Sequence, residues 1–158
     1  MKPVKVQDLV DVFDCRTQET QYYLNIKTGG IVAVEDEYMR IVWDEEEDNY
    51  YREFQEWEKE CIRQAGLIVE NEDDFVSLPE EFEINEYQIM EQFCFSVEDE
   101  RLSAKLCDLI QGRGAFRRFK DAIYRYGVAD QWYEFKEKEL RKIARDWCKE
   151  NEIPYEDV

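Results

Sequence analysis

The sequence predicts an α+β fold, an N-terminal β-hairpin or small antiparallel sheet followed by a run of C-terminal helices. β-branched and aromatic runs split by paired glycines occupy the first residues, whereas apolar residues recur at helical spacing from Asn85 onward. Glycines at 112, 114 and 127 punctuate that second stretch, as helix ends require.

Val6, Leu9, Val10 and Phe13 keep the i, i+3, i+4, i+7 spacing of one helical face, and Pro3 suits a first-turn position. A short helix is expected there. Tyr22 to Ile26 and Ile31 to Val34 flank Lys27-Thr28-Gly29-Gly30, whose glycines supply the positive φ of a tight hairpin turn. A two-stranded hairpin is marginal by itself, so a third strand or a covering helix is expected, and Met39 to Trp43 is the candidate for that strand. Tyr50, Phe54, Trp57 and Cys61 predict an amphipathic helix with an aromatic stripe, stopping at Gly66. Leu67 to Val69 and Phe75 to Leu78 read as short strands around the acidic turn Glu70 to Asp74, with Pro79 ending the second. The helical stretch carries Ile89, Met90, Phe93 and Val97, then Leu102, Leu106, Leu109 and Ile110. Phe116, Phe119 and Ile123 follow, and then Trp132, Phe135, Leu140, Ile143, Ala144 and Trp147.

At 158 residues, 44% of them hydrophobic, the chain is long enough for one domain with a real core. Within it, a hairpin-containing part with an acidic middle covers about 1–80 and a helical part about 85–152. A net charge of -18 would suggest disorder in a chain poor in aromatics, but 15% aromatic content argues for a folded body. No apolar run of about 18 residues is present, and the first residues lack a secretory core, so a cytoplasmic protein without a membrane segment is expected.

The five cysteines at 15, 61, 94, 107 and 148 are widely spaced, with no C-x-x-C pair, and three fall on apolar helix faces. They read as small buried hydrophobes rather than as redox or metal ligands. Histidine is absent, which removes Ser-His and Cys-His nucleophile activation and the commonest base near neutral pH. No phosphate-cradling glycine motif follows a strand. The acidic run Asp44 to Asp48 fails as a calcium loop, since Asn49 stands where the turn glycine belongs and Gln55 where the bidentate glutamate belongs. No metal and no cofactor is expected.

Charge is unevenly placed. Residues 35–100 hold 24 acids against 4 bases, net -20, while residues 101–149 hold 13 bases against 7 acids, net +6. Either the halves neutralise each other, or each presents a face to a partner.

The segment with unusual local logic is Gly112-Arg113-Gly114-Ala115-Phe116-Arg117-Arg118-Phe119-Lys120-Asp121. Its glycines let one helix end and another begin, with Phe116, Phe119 and Ile123 burying one face of the new helix. Arg113, Arg117, Arg118 and Lys120 crowd the new helix's first turns, where cations oppose the macrodipole at about 0.3 to 1 kcal/mol each. Something negative belongs nearby. The chain's own carboxylates are one candidate; the other is an external phosphate held by Arg113, Gly114, Arg117, Arg118 and Lys120.

This motif, with Trp132-Tyr133-Glu134-Phe135 and Ala144-Arg145-Asp146-Trp147, resembles the C-terminal signature of a family of small bacterial proteins known only as uncharacterised. The stretch Tyr87 to Phe93 and the hairpin from Tyr22 to Val34 are similar to that family's layout, while the acidic middle departs from it. The resemblance implies a bacterial cytoplasmic protein and supplies no activity.

Two function classes follow. The leading one is a non-catalytic, acidic protein-interaction or regulatory module, engaging a protein partner or a second copy. The alternative is an anion- or phosphate-ligand-binding protein, an enzyme included, built on the arginine motif at 113–120. A sequence pI of about 4.4 disfavours nucleic acid.

Overall fold

A computed structural model describes residues 1–43 and 54–158. The chain divides into two compact units, Met1–Glu81 with Ala144–Val158, and Phe82–Ile143. The fold class is α+β and mostly helical.

In the first unit, β1 (Val4–Lys5) runs directly into α1 (Val6–Cys15), which buries Val6, Leu9, Val10 and Phe13 as their spacing requires. The hairpin follows as β2 (Thr20–Asn25) and β3 (Ile31–Glu35), antiparallel with Tyr22 opposite Ala33 and Leu24 opposite Ile31. Asn25 Oδ1 accepts the Lys27 and Thr28 N–H groups at 2.9 and 3.3 Å, pinning the turn. Gly29 has φ 75°, and a Cβ there would lie 2.4 Å from the Pro3 carbonyl oxygen. Only glycine lets the turn meet the N-terminal segment so closely.

The third strand is not Met39 to Trp43. That stretch belongs to a helix, α2 (Asp36–Trp43), in which Tyr38 and Met39 are buried and Val42 packs beside them. Positions 38, 39 and 42 share a helical face, and Asp36 and Glu37 favour the positive helix N-terminus. The place beside β2 is taken by β4 (Phe75–Ser77), antiparallel with Leu24 opposite Val76, giving the order β3-β2-β4.

The helix expected to stop at Gly66 continues: α3 (Glu56–Glu70) passes through Gly66 and absorbs Leu67 to Val69, which form no strand. Ile62, Ala65 and Ile68 on α3 join Val34, Tyr38 and Met39 in one core cluster. That burial outweighs a helix-interior glycine, which costs about 1 kcal/mol. The aromatic stripe also differs, because Trp57 is 60% exposed and the aliphatic stripe is buried instead. Tyr50 and the run Asp44 to Asp48 lie outside the described residues. A 3-10 turn, Glu72–Asp74, leads into β4.

The unit closes with β5 (Tyr155–Glu156), parallel to β1 with Val4 opposite Tyr155. Arg145 reaches Asp157 at 3.3 Å on the same terminal segment.

After the short helix α4 (Glu81–Ile84), the second unit contains α5 (Glu86–Ser96), α6 (Glu100–Leu109), α7 (Ala115–Arg125) and the first part of α8 (Ala129–Glu150). Asn85 caps α5 by accepting the Gln88 N–H at 3.1 Å, and Asp99 caps α6 through Arg101 and Leu102 N–H at 3.0 and 3.2 Å. Phe93, Phe119, Trp132 and Phe135 form an edge-to-face aromatic core, with ring centroids 4.9 to 6.0 Å apart. No helix among the described residues is long and apolar enough to cross a membrane.

Candidate functional site

The arginine motif spans the end of the α6–α7 connection and the first turns of α7. Gly114 is the residue before α7, at φ 76°, and a Cβ there would stand 3.0 Å from Arg118 Nη1. The strained backbone and the crowding both select glycine. α7 buries Ala115, Phe119, Ala122 and Ile123. Phe116 is 48% exposed rather than part of that face, and its ring meets Tyr87 edge-on at 6.3 Å. The reason is angular, since Ala115, Phe119, Ala122 and Ile123 already complete one side of α7.

Arg118 has a partner that is neither a carboxylate nor an external anion. Its Nε donates to the Leu109 carbonyl at 2.8 Å, Nη2 to the Gln111 carbonyl at 2.5 Å, and Nη1 to the Arg113 carbonyl. Tyr87 Oη donates to the Ile110 carbonyl at 2.8 Å. One guanidinium and one phenol therefore hold four carbonyls of the α6–α7 connection. These include the C-terminal end of α6, where unpaired carbonyls and the negative end of the dipole attract a cation. A guanidinium suits this because its donors spread in a fixed planar fork, which an ammonium lacks.

The other motif cations are placed differently. Arg113, Arg117 and Lys120 are exposed, and within the second unit none forms an ion pair. Arg117, Lys120 and Tyr124 follow one another at i, i+3, i+7 on the face of α7 opposite the core. Tyr124 is 60% exposed, and its phenol shares a hydrogen bond of 2.8 Å with Tyr133 of α8. That bond is the main cause of Tyr124 titrating above the usual tyrosine value. The motif thus splits: Gly114 and Arg118 build the turn, Arg117 and Lys120 form a cationic face of α7 edged by two tyrosines, and Arg113 is exposed just before the helix.

Sequence reasoning missed Tyr124. The signal was an aromatic residue on the polar side of a strongly amphipathic helix.

A concavity of about 530 Å³ in the second unit is lined by Phe93, Ser96, Val97, Glu98, Asp99, Leu102, Val128 and Gln131, with no motif residue among them. In the first unit a smaller crevice of about 130 Å³ includes Arg16, Tyr22, Tyr23, Asp36 and Glu80. Arg16 donates to the Pro79 carbonyl there and sits 5.4 Å from the Tyr22 ring centre. Burial, then Asp36 and Glu80, push the Tyr23 phenol up.

Of the cysteines, Cys94 and Cys148 are buried, Cys61 and Cys107 intermediate and Cys15 exposed, so the expectation of burial holds in part. Burial pushes Cys94 up to about 12 and Cys148 to about 11, and raises Cys61 as well.

The sequence profile of an uncharacterised protein family, UPF0158, matches residues 1–156. The chain belongs to that family. A curated relative, the UPF0158 protein PA5073 of Pseudomonas aeruginosa, is 32% identical over 66 residues. The shared stretch covers 41% of this chain and 43% of the relative, so less than half the relative's length is spanned. No solved structure matches this UPF0158 chain.

Proposed function

We propose that this UPF0158 protein is a non-catalytic interaction or regulatory module of the bacterial cytoplasm, binding a protein partner or a second copy without a metal or cofactor. The observation that carries the reading is the outward face of α7, where exposed Arg117 and Lys120 share a helical face with exposed Tyr124, which is hydrogen-bonded to exposed Tyr133 of α8, and exposed Arg113 lies just before the helix. Interfaces favour rigid aromatics together with arginine, because they supply large contact area and directed hydrogen bonds at low entropic cost.

A second reading rests on the same cations. A phosphate-bearing ligand would be held by Arg113, Arg117 and Lys120 near the free N–H groups of α7, with Arg118 and Gly114 shaping the turn rather than touching it.

Thermal shift against nucleotides and phosphorylated metabolites separates the two. A ligand at 100 times its dissociation constant stabilises the folded state by about 2.7 kcal/mol, a readily measured shift. The interaction reading expects a flat panel for the wild type. A reproducible hit that disappears in Arg117→Ala would establish the phosphate reading instead.

A further inference from the structure

The interaction reading leaves the partner open, and the following step rests on it. The cationic face of α7 needs an occupant that is acidic and offers an aromatic surface. This chain carries such a surface. At the start of α3, Glu56, Trp57 and Glu60 lie on adjacent positions, the Glu56 side chain 93% exposed and the Trp57 residue 60% exposed. Their local partners are surface ion pairs, Glu56 with Lys59 and Glu60 with Arg63. Exposed pairs of this kind hold weakly and exchange easily. Tryptophan is the aromatic ring best suited to receive a guanidinium, and Arg117 offers one next to Lys120.

We infer that the α7 face of one copy docks on the acidic, tryptophan-bearing start of α3 in a second copy. Two molecules of net charge -18 repel at long range. At physiological salt, however, charges are screened beyond about 8 Å, so the local match of cations to carboxylates governs the contact. Donor and acceptor faces differ, which makes the contact head-to-tail. A nucleic-acid occupant is the weaker fit, because the same negative charge opposes a phosphate backbone.

The test uses the full chain. R117E/K120E removes the cationic face and keeps the α3 face, whereas E56K/E60K does the reverse. The wild type should self-associate with rising concentration in sedimentation experiments. Each variant should fold with an unchanged circular dichroism spectrum and remain monomeric. Their equimolar mixture should associate, because the intact α7 face of E56K/E60K meets the intact α3 start of R117E/K120E. A wild type that stays monomeric throughout, variants that still associate, or a mixture that does not pair would each overturn the proposal. Should a charge reversal fail to fold, the milder Arg117→Ala and Trp57→Ala variants carry the same expectation of lost self-association. Failure of the self-contact is distinguished from failure of the interaction reading by cross-linking at Lys120 in cells: a wild type that stays monomeric yet gives conjugates to a different protein loses the self-contact and keeps that reading. A single-stranded oligonucleotide that binds the wild type but not R117E/K120E would overturn the self-contact as well.

Discussion

Arg117 and Arg118 are adjacent in sequence and opposite in role. Arg118 turns inward to three carbonyls of the α6–α7 connection, while Arg117 stays in solvent. Arg118→Lys should therefore destabilise the protein by about 1 to 3 kcal/mol although charge is kept, because one ammonium cannot span the three acceptors. Arg117→Ala should stay within about 0.5 kcal/mol of the wild type, as surface positions do. Urea titration of both variants checks the pair, and equal losses would refute the division of roles. Gly29→Ala should cost about 2 kcal/mol or more, since φ 75° is strained for alanine and its Cβ would collide with the Pro3 carbonyl. The buried thiols give a pH signature. Cys94 is raised from 9.0 to about 12, so the folded state holds its proton where the unfolded chain has lost it. Stability is thus fully present below pH 9 and falls as pH rises toward 12. Below pH 9, a thiol reagent should label Cys15 first and Cys94 and Cys148 only on unfolding.

At the level of elements, the hairpin, α1 and the C-terminal helices were legible because each carries its own period and stop signal. The hairpin turn has Gly29, and α1 has Val6, Leu9, Val10 and Phe13 on one face. What escaped depended on distant partners. Met39 to Val42 fits a short strand or a helix equally on local pattern, and the choice is made by Ile62, Ala65 and Ile68 packing against it. Gly66 looked like a stop for the same reason, since only the core behind Ala65 and Ile68 carries the helix past it. A Cβ on Gly66 would meet nothing within 4 Å. Gly66→Ala should therefore stabilise the protein by about 0.5 to 1 kcal/mol, visible as a higher melting temperature. The candidate site was half legible. The motif's position and its need for a negative partner were readable, but backbone carbonyls leave no mark on a sequence, so the role of Arg118 was not.

For the whole molecule, the chain carries a strongly acidic half and a cationic one, net -20 over residues 35–100 and +6 over 101–149. The cationic half spends Arg118 on its own backbone and leaves Arg117 and Lys120 outward on the face of α7 that carries Tyr124, with Arg113 exposed just before the helix. In the proposed self-contact this face meets an acidic protein surface, the start of the second copy's α3. Such a contact is made of charges near solvent, so it should weaken as salt is raised. Sedimentation velocity of the wild type and Arg117→Glu, at matched concentrations and at low and high salt, is the most direct measurement. The proposed contact requires that the wild type associate increasingly with concentration and less with salt, and that Arg117→Glu stay monomeric throughout. Identical monomeric profiles for both proteins at every concentration and salt would contradict it.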